Sequence, residues 1–396
     1  MALDLYSPTP ASNSNPAEIV ASIEHLLAKI LSLLPLRSLL RFKSVSKHWL
    51  SLITNPIFTH LRNPNPNPPV ALFLPIAKRQ SFDFEFIPFR AEQSINPPFT
   101  RLDFTEDPSG IKIIQSCNGL LLCCSISEPN RRFYVCNPTA KAFRELPKPG
   151  IKVSNSICGM SLAFNPVESR YYNVVCVWSL GVEDRTNNAQ FTIGVYSSRT
   201  DSWRLRGEGF TALVNFERGV FWNGAINWMG VGNGESLYFD VERHVFDKMP
   251  MLPLPYGWNS RSNYYFDESC DHLHFVEMRC PTIDFNVYEM KRDYSEWFVK
   301  YKVDLRPVVA ANRDMILGRI NPIGWYTFVF SVLAVVRGER EEDSFLVLQT
   351  PSRSIRYNLV CKTFENLHEF EGNMVNGSLK YPSINGFQYI ESLCCV

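Results

Sequence analysis

"GVFWNGAINWMGVGNGESLYFDVERHVFDKM", Gly219 to Met249, packs a whole structural unit into thirty-one residues. Apolar residues alternate with polar ones and are interrupted by Asn223-Gly224 and Asn233-Gly234. Asn-Gly is the strongest short hairpin signal, because the central residues of a type I′ turn need positive φ. The stretch therefore reads as strand, turn, strand, turn, strand, turn, strand: a four-stranded meander. "GVGNG" has the look of a nucleotide-binding glycine loop, but no helix follows it and a hairpin turn explains it better. A lone meander leaves two strand edges open, so several must pack side by side.

The end of that unit recurs along the chain. An alternating run leads to Asn, Asp or Ser, and an aromatic follows six positions later. "FYVCNPTAKAFREL" has Asn137 and Phe143, "IGVYSSRTDSWRL" has Ser197 and Trp203, "LYFDVERHVFDKM" has Asp240 and Phe246, and "IRYNLVCKTFENL" has Asn358 and Phe364. A looser copy is "FNVYEMKRDYSEWFV", with Trp297. This is the chemistry of a strand, a polar turn that tolerates left-handed backbone, and a second strand opened by an aromatic. Two strand-like segments, "VALFLP" and "FDFEFIPF", precede the first copy, and "GFQYIESLCCV" ends the chain. Residues 70–396 are thus expected to form an all-β domain, a six-sector kelch-like β-propeller with unequal sectors, closed by pairing of the C-terminal strand with the first ones. A two-sheet β-sandwich is the competing architecture.

The front of the chain has a different period. From Ala17 to Asn63 the pattern is helical: Leu26, Leu27, Ile30, Leu31 and Leu34 fall on one helix face. Pro35 breaks that helix. Leu36 to Phe42 turns Leu39 and Leu40 inward, Ser46 caps a third helix carrying Trp49, Leu50 and Ile53, and Asn55-Pro56 opens a fourth. Four helices in so short a span bury little surface alone. Lys29, Arg37, Arg41, Lys43, Lys47 and Arg62 outnumber Glu18 and Glu24. An apolar stripe flanked by positive charge fits a docking surface for an acidic partner. A helical cap on the main domain is the plainer alternative. A DNA-reading helix-turn-helix fits less well, since Trp49 and the leucines fill the candidate recognition face. Residues 1–16 read as a disordered tail, 17–62 as the helical module, and "NPNPNPP", 63–69, as a polyproline-II linker.

The segment "IEHLLAKILSLLPLRSLLRFKSVSKHWLSLI" resembles an F-box, through Leu26-Leu27, Ile30-Leu31, Leu34-Pro35, Ser38-Leu39, Val45-Ser46-Lys47 and Trp49. It departs from the family at Ser22-Ile23, where Leu-Pro is usual, and at Lys29, where an acidic residue is usual. "SCNGLLLCCS", "NPTAKAFRELP" and "FNPVESRYYNVVCV" resemble phrases of the kelch-like F-box-associated region of plant F-box proteins. The resemblance implies a substrate-recruiting subunit of an SCF-type ubiquitin ligase. Such a subunit docks on a Skp-type adaptor, and through it on the cullin and RING subunits, and presents a protein substrate for ubiquitination. The adaptor-binding residues it implies are Leu26, Leu27, Ile30, Leu31, Leu34, Pro35, Leu39, Val45, Ser46 and Trp49. Leu27, Leu31, Leu34 and Pro35 are then expected to stay partly exposed until the adaptor covers them. A propeller binding or scaffold module of lectin-like type, with no ligase role, is the alternative from another class.

Chemistry of other kinds finds little support. A net charge of +1 does not favour nucleic acid as partner. The N-terminal residues lack the basic and apolar regions of a targeting peptide, and "GWYTFVFSVLAVV", Gly324 to Val336, is too short to span a membrane. The eleven cysteines include no CxxC pair, and reduced buried thiols in the cytoplasm or nucleus are the expectation. GxSxG, HExxH and GxxxxGK are absent from the sequence, so neither a catalytic residue nor a cofactor is nominated. His272 and His274 share a strand face without an evident third metal ligand. The tryptophans read as core, except Trp258 in "PYGWNSRSNY", a weak candidate for substrate contact.

Overall fold

The structure is a computed structural model. It describes residues 19–396 apart from 21, 63–67, 79–80, 91–96, 100–101, 103–109, 127–130, 151–155, 184–188, 207, 233, 255–262, 279–281, 321–324 and 371–385. The expected N-terminal tail, most of the linker and Trp258 lie outside the described residues. The chain divides into two compact units, residues 1–64 and 65–396.

The first unit holds α1 (Glu24–Ser32), α2 (Leu36–Phe42), α3 (Lys47–Thr54) and α4 (Pro56–Arg62). Local chemistry sets its breaks. Pro35 separates α1 from α2. The Ser46 hydroxyl accepts the Trp49 amide at 3.1 Å and caps α3. Asn55 Oδ1 accepts the Ile57 amide at 2.9 Å, ahead of a proline at the first position of α4.

Among the described residues, the second unit is all-β but for one short α-helix, α5 (Arg306–Ala311), and three single-turn 3-10 helices. Its strands are β1 (Ala71–Lys78), β2 (Ser81–Pro88), β3 (Ile111–Cys117), β4 (Leu120–Ser125), β5 (Phe133–Asn137), β6 (Ala142–Glu145), β7 (Ile157–Ala163), β8 (Asn173–Glu183), β9 (Ala189–Ser197), β10 (Ser202–Leu205) and β11 (Phe210–Thr211). They continue as β12 (Val220–Trp222), β13 (Ala225–Trp228), β14 (Ser236–Asp240), β15 (Val245–Met249), β16 (Tyr264–Ser269), β17 (His272–Glu277), β18 (Asp284–Met290), β19 (Trp297–Asp304), β20 (Ile316–Ile320) and β21 (Trp325–Phe328). The last are β22 (Ser331–Val336), β23 (Phe345–Gln349), β24 (Arg353–Asn358), β25 (Phe364–Glu369) and β26 (Phe387–Tyr389). They make six blades: β26-β1-β2, β3 to β6, β7 to β10 with β11 added, β12 to β15, β16 to β19, and β22 to β25.

The blades form a closed ring because every seam between neighbours is apolar. Six hydrophobic clusters occupy the six seams, including the one between blades 6 and 1, where Leu72 and Leu74 meet Leu333 and Val347. Both faces of an inner strand are therefore buried, which explains unbroken apolar runs. In β4, which lies in blade 2, Leu120, Leu122 and Cys124 face blade 3 while Leu121 and Cys123 face blade 1. Closure comes from β26, whose residues 387–389 pair antiparallel with Phe73 to Ala71. His368 of blade 6 and Glu85 of blade 1 meet at 2.5 Å across the same seam. The sandwich alternative is thereby excluded.

The recurring motif marks the third turn of each four-stranded blade. The fourth residue past the third strand is left-handed in all five: Lys141, Asp201, His244, Tyr294 and Lys362 have φ of 52–62°. None is glycine, and a side chain ahead of each helps hold the turn. Asn137, Asp240 and Asn358 each accept two backbone amides through Oδ1, at 2.8–3.1 Å, and Ser197 accepts one at 3.4 Å. The blade with Trp297 uses Asp293, which accepts the Ser295 amide. Two of the aromatics that follow tie blades together: Trp203 donates to the Pro147 carbonyl at 2.7 Å, and Trp297 to the Pro250 carbonyl at 2.8 Å.

Two details depart from the sequence reading. Asn223-Gly224 is a tight turn with positive φ at both residues, but Gly234 sits in a seven-residue connection, 229–235, with Val214 bridged to Gly230. Residues 305–330 between blades 5 and 6 hold α5 and the β20–β21 hairpin, an insertion that the repeat pattern does not show.

Candidate functional site

The helical unit closes a small core of its own. Leu27, Ala28 and Leu31 of α1, Leu36 and Leu39 of α2, Leu52 and Ile53 of α3, and Phe58 of α4 are buried. Trp49 is half-buried and meets Phe42 edge-on at 5.3 Å. Arg62 Nη1 donates to the Leu34 carbonyl at 2.5 Å, pinning the end of α4 to the corner between α1 and α2. The expected exposure of Leu27 and Leu31 is corrected by this packing. Leu31 is 1% exposed and Leu27 is nearly as buried, because α1 lies against both α3 and α4. Leu39 is buried as well. Leu26 and Leu34 are half-buried, and Ile30, Pro35, Val45 and Ser46 are exposed. Of the ten residues implied to bind the adaptor, three are core, three are half-buried and four lie on the surface.

The sequence reading missed the most exposed apolar residues. Leu33 at the end of α1 is 82% exposed and Ile57 on α4 is 75% exposed. Leu50 and Leu61 are also open to solvent. Ile30 and Leu33 lie three residues apart, Ile57 and Leu61 four, and α1 packs on α4. Lys29, next to Ile30 in sequence, is exposed, as is Arg41 of α2. A unit that has already buried a core, yet presents this much apolar side chain, has a surface built to be covered. The signal was available: residues one position off the main stripe are apolar too.

The β unit shows where polar groups gather. Gln388 of the closing strand donates through Nε2 to the Glu268 carbonyl at 2.7 Å and lies 3.5 Å from Asp267 Oδ2. Burial pushes the Asp267 carboxyl up to about 7, against the hydrogen bonds it accepts. Burial, and then the Asp267 charge, push Glu268 up to about 8. The chain continues past β26 onto blade 2, where buried Asn137 donates through Nδ2 to the carbonyls of Ser392 and Cys394 at 3.1 and 2.7 Å. His272 and His274 do share a face, and both approach Glu289. Cys117, Cys123, Cys124, Cys136 and Cys176 are buried thiols. Among the described residues, no cluster of His, Cys, Asp and Glu is arranged to hold a metal ion, and no helix is long and apolar enough to cross a membrane.

Comparison with known proteins places both units. Residues 24–61 match the F-box domain, and residues 81–297 match the F-box associated beta propeller domain. The chain is 35% identical to F-box protein At5g07610 of Arabidopsis thaliana, over 97% of this chain and 94% of that one. It is 26% identical to F-box protein At5g49610 of the same plant, over 72% and 79%, and 24% identical to F-box/kelch-repeat protein At3g17530, over 60% and 62%. Among solved structures, TolB from Acinetobacter baumannii aligns with a TM-score of 0.41 and 10% identity over 84% of this chain and 72% of that one, too distant to carry an argument. A helical unit with the F-box pattern, a six-bladed ring, and a relative similar along nearly its whole length give one conclusion: the chain belongs to the F-box proteins that carry an F-box-associated β-propeller.

Proposed function

We propose that the protein is the substrate-recognition subunit of an SCF-type ubiquitin ligase, working in the cytoplasm or nucleus. The helical unit docks on a Skp-type adaptor, and the propeller holds a protein substrate. It makes and breaks no bonds itself. By tethering the substrate, it raises the effective concentration of substrate lysines near a conjugating enzyme supplied by other subunits. The reading rests on one observation above the rest: Leu33 and Ile57 stand in solvent on a helical unit whose own core is already closed.

The test separates docking from folding. Leu33→Asp with Ile57→Asp changes two exposed positions, so the helical unit should stay folded while copurification with the adaptor is lost, since central apolar contacts in interfaces are worth ~2–4 kcal/mol each. Leu31→Asp buries a carboxylate and should unfold the unit instead. Undiminished adaptor binding by the folded double variant sinks the proposal.

A further inference from the structure

The seam between blades 5 and 6 is apolar over most of its area, through Tyr265, Val276, Val287, Val332 and Leu346. At one end it turns polar. Register puts Asp267 of β16 opposite His274 of β17, and His274 opposite Glu289 of β18, so the three share the face that carries Tyr265, Val276 and Val287. The Glu289 carboxylate is divided between two imidazoles: Oε1 lies 2.9 Å from His272 Nδ1, and Oε2 lies 3.7 Å from His274 Nε2. The second distance is too long for a hydrogen bond. His274 is completely buried, and neither of its ring nitrogens has a hydrogen-bond partner, nor does Glu289 Oε2. His272, by contrast, reaches solvent.

Buried polar atoms normally find partners, and a fully enclosed imidazole with none is unusual. Across the seam stands the Arg337 guanidinium, bonded to Tyr301 and Glu341, and Lys300 also pairs with Glu341. Cys270 donates to the Arg337 carbonyl, and Ser269 accepts the Arg337 amide. The region therefore has its negative charges committed: Glu341 to Arg337 and Lys300, Glu289 to His272. Asp267 and Glu268 are held near protonation and add little countercharge in mild acid.

We propose that His272, His274 and Glu289 form a proton-operated joint between blades 5 and 6, closed while His274 is neutral and loosened when it takes up a proton. A proton on His274 puts a cation in a fully enclosed site that faces Arg337, with only one half-committed carboxylate oxygen to meet it. Opening the seam lets that imidazolium reach water. The direction agrees with the environment of the ring. Burial holds the His274 imidazole below its ordinary range, with Arg337 and His272 adding to the effect against Glu289. Burial alone would raise the Glu289 carboxyl, but the two imidazoles outweigh it and keep it ionised, well below the usual carboxylate range. The open state binds the proton more readily, so closure is complete above the ordinary histidine range and is lost as pH falls through it.

Hydrogen exchange on the full chain tests this, with rates corrected for the intrinsic pH dependence of amide exchange. Between pH 7.5 and 5.5, protonation of His274 should lower protection in peptides from β16 to β18 and from β22 by up to about tenfold relative to a chain that lacks the imidazole, the ratio set by an open-state imidazole titrating near 6.5. His274→Gln, which keeps a polar side chain opposite Glu289 but cannot take the proton, should lack this loss, so the ratio of variant to wild-type protection in the same peptides should rise by up to about tenfold on acidification. Asp267 acts in the opposite sense in both proteins, so the difference between them isolates the histidine. Equal pH dependence in the two overturns the joint. If the variant does not fold, Asp267→Asn, which removes the opposing carboxyl, decides: a fall in protection confined to this seam on acidification supports the proposal, and a uniform change or none overturns it.

Discussion

Replacing Asn137 by alanine asks one side chain to reveal two jobs at once. Its Oδ1 holds the third turn of blade 2 through the amides of Thr139 and Ala140, and its Nδ2 holds the C-terminal tail through Ser392 and Cys394. The side chain is fully buried. Each hydrogen bond is worth ~1 kcal/mol net, and each buried partner left unpaired costs ~1–3 kcal/mol. The loss of four bonds at a closed site should therefore cost ~3–5 kcal/mol. Asp240 occupies the same motif position in blade 4, where it makes the two turn bonds, lies 3.9 Å from the exposed Arg243 and is itself partly exposed. Asp240→Ala should cost ~1 kcal/mol, the usual value for losing such a cap. For a unit the size of residues 65–396, unfolding entropy is about 0.7 kcal/mol/K, so each kcal/mol moves the melting temperature by about 1.4 °C. Thermal melts should show a fall of about 4–7 °C for N137A and about 1–2 °C for D240A. Equal shifts in the two variants would refute the argument, because they would mean that the tail contributes nothing through Asn137.

Two further outcomes follow from the ring. Asp267 and Glu268 have folded-state values of about 7 and about 8, above the ordinary carboxylate range. Their penalty is absent in acid and grows as pH rises through that range, levelling off only above about 8. Asp267→Asn should remove ~2–3 kcal/mol of the stability lost between pH 5 and pH 8, and urea melts at the two pH values that give the wild-type slope for D267N would contradict it. Trp297→Phe keeps a ring in the seam between blades 4 and 5 but deletes the bond to the Pro250 carbonyl. It should cost ~1–2 kcal/mol and raise hydrogen exchange in β15 and β19, whereas a variant as protected as the wild type would show that the aromatic acts by packing alone.

Much of this architecture was legible because its determinants are local. A capping serine, a proline at a helix start and an Asn-Gly turn depend on a few neighbouring atoms, so Ser46, Asn55-Pro56 and Asn223-Gly224 do in the structure what their residue types allow. The same holds for the third-turn motif. An Asn or Asp that accepts two amides from its own turn needs no help from elsewhere in the chain, and five recurrences of the turn were enough to propose a ring. The family pattern in the helical unit was equally plain.

What the sequence by itself determined, then, was the kind of element at each place and the repeat that arrays them. Only the tertiary structure decided which apolar residues are core. Periodicity finds an apolar stripe, but in a small bundle nearly every face carries leucine, and the packing of α1 on α3 and α4 sends Leu31 inward and leaves Leu33 outside. Likewise, no local rule brings Gln388 to Glu268 or Asn137 to Cys394, pairs more than a hundred residues apart. Nor does one set His274 across a seam from Arg337. Those contacts exist because a closed ring brings its last strand beside its first, and strand register then chooses which side chains share a seam.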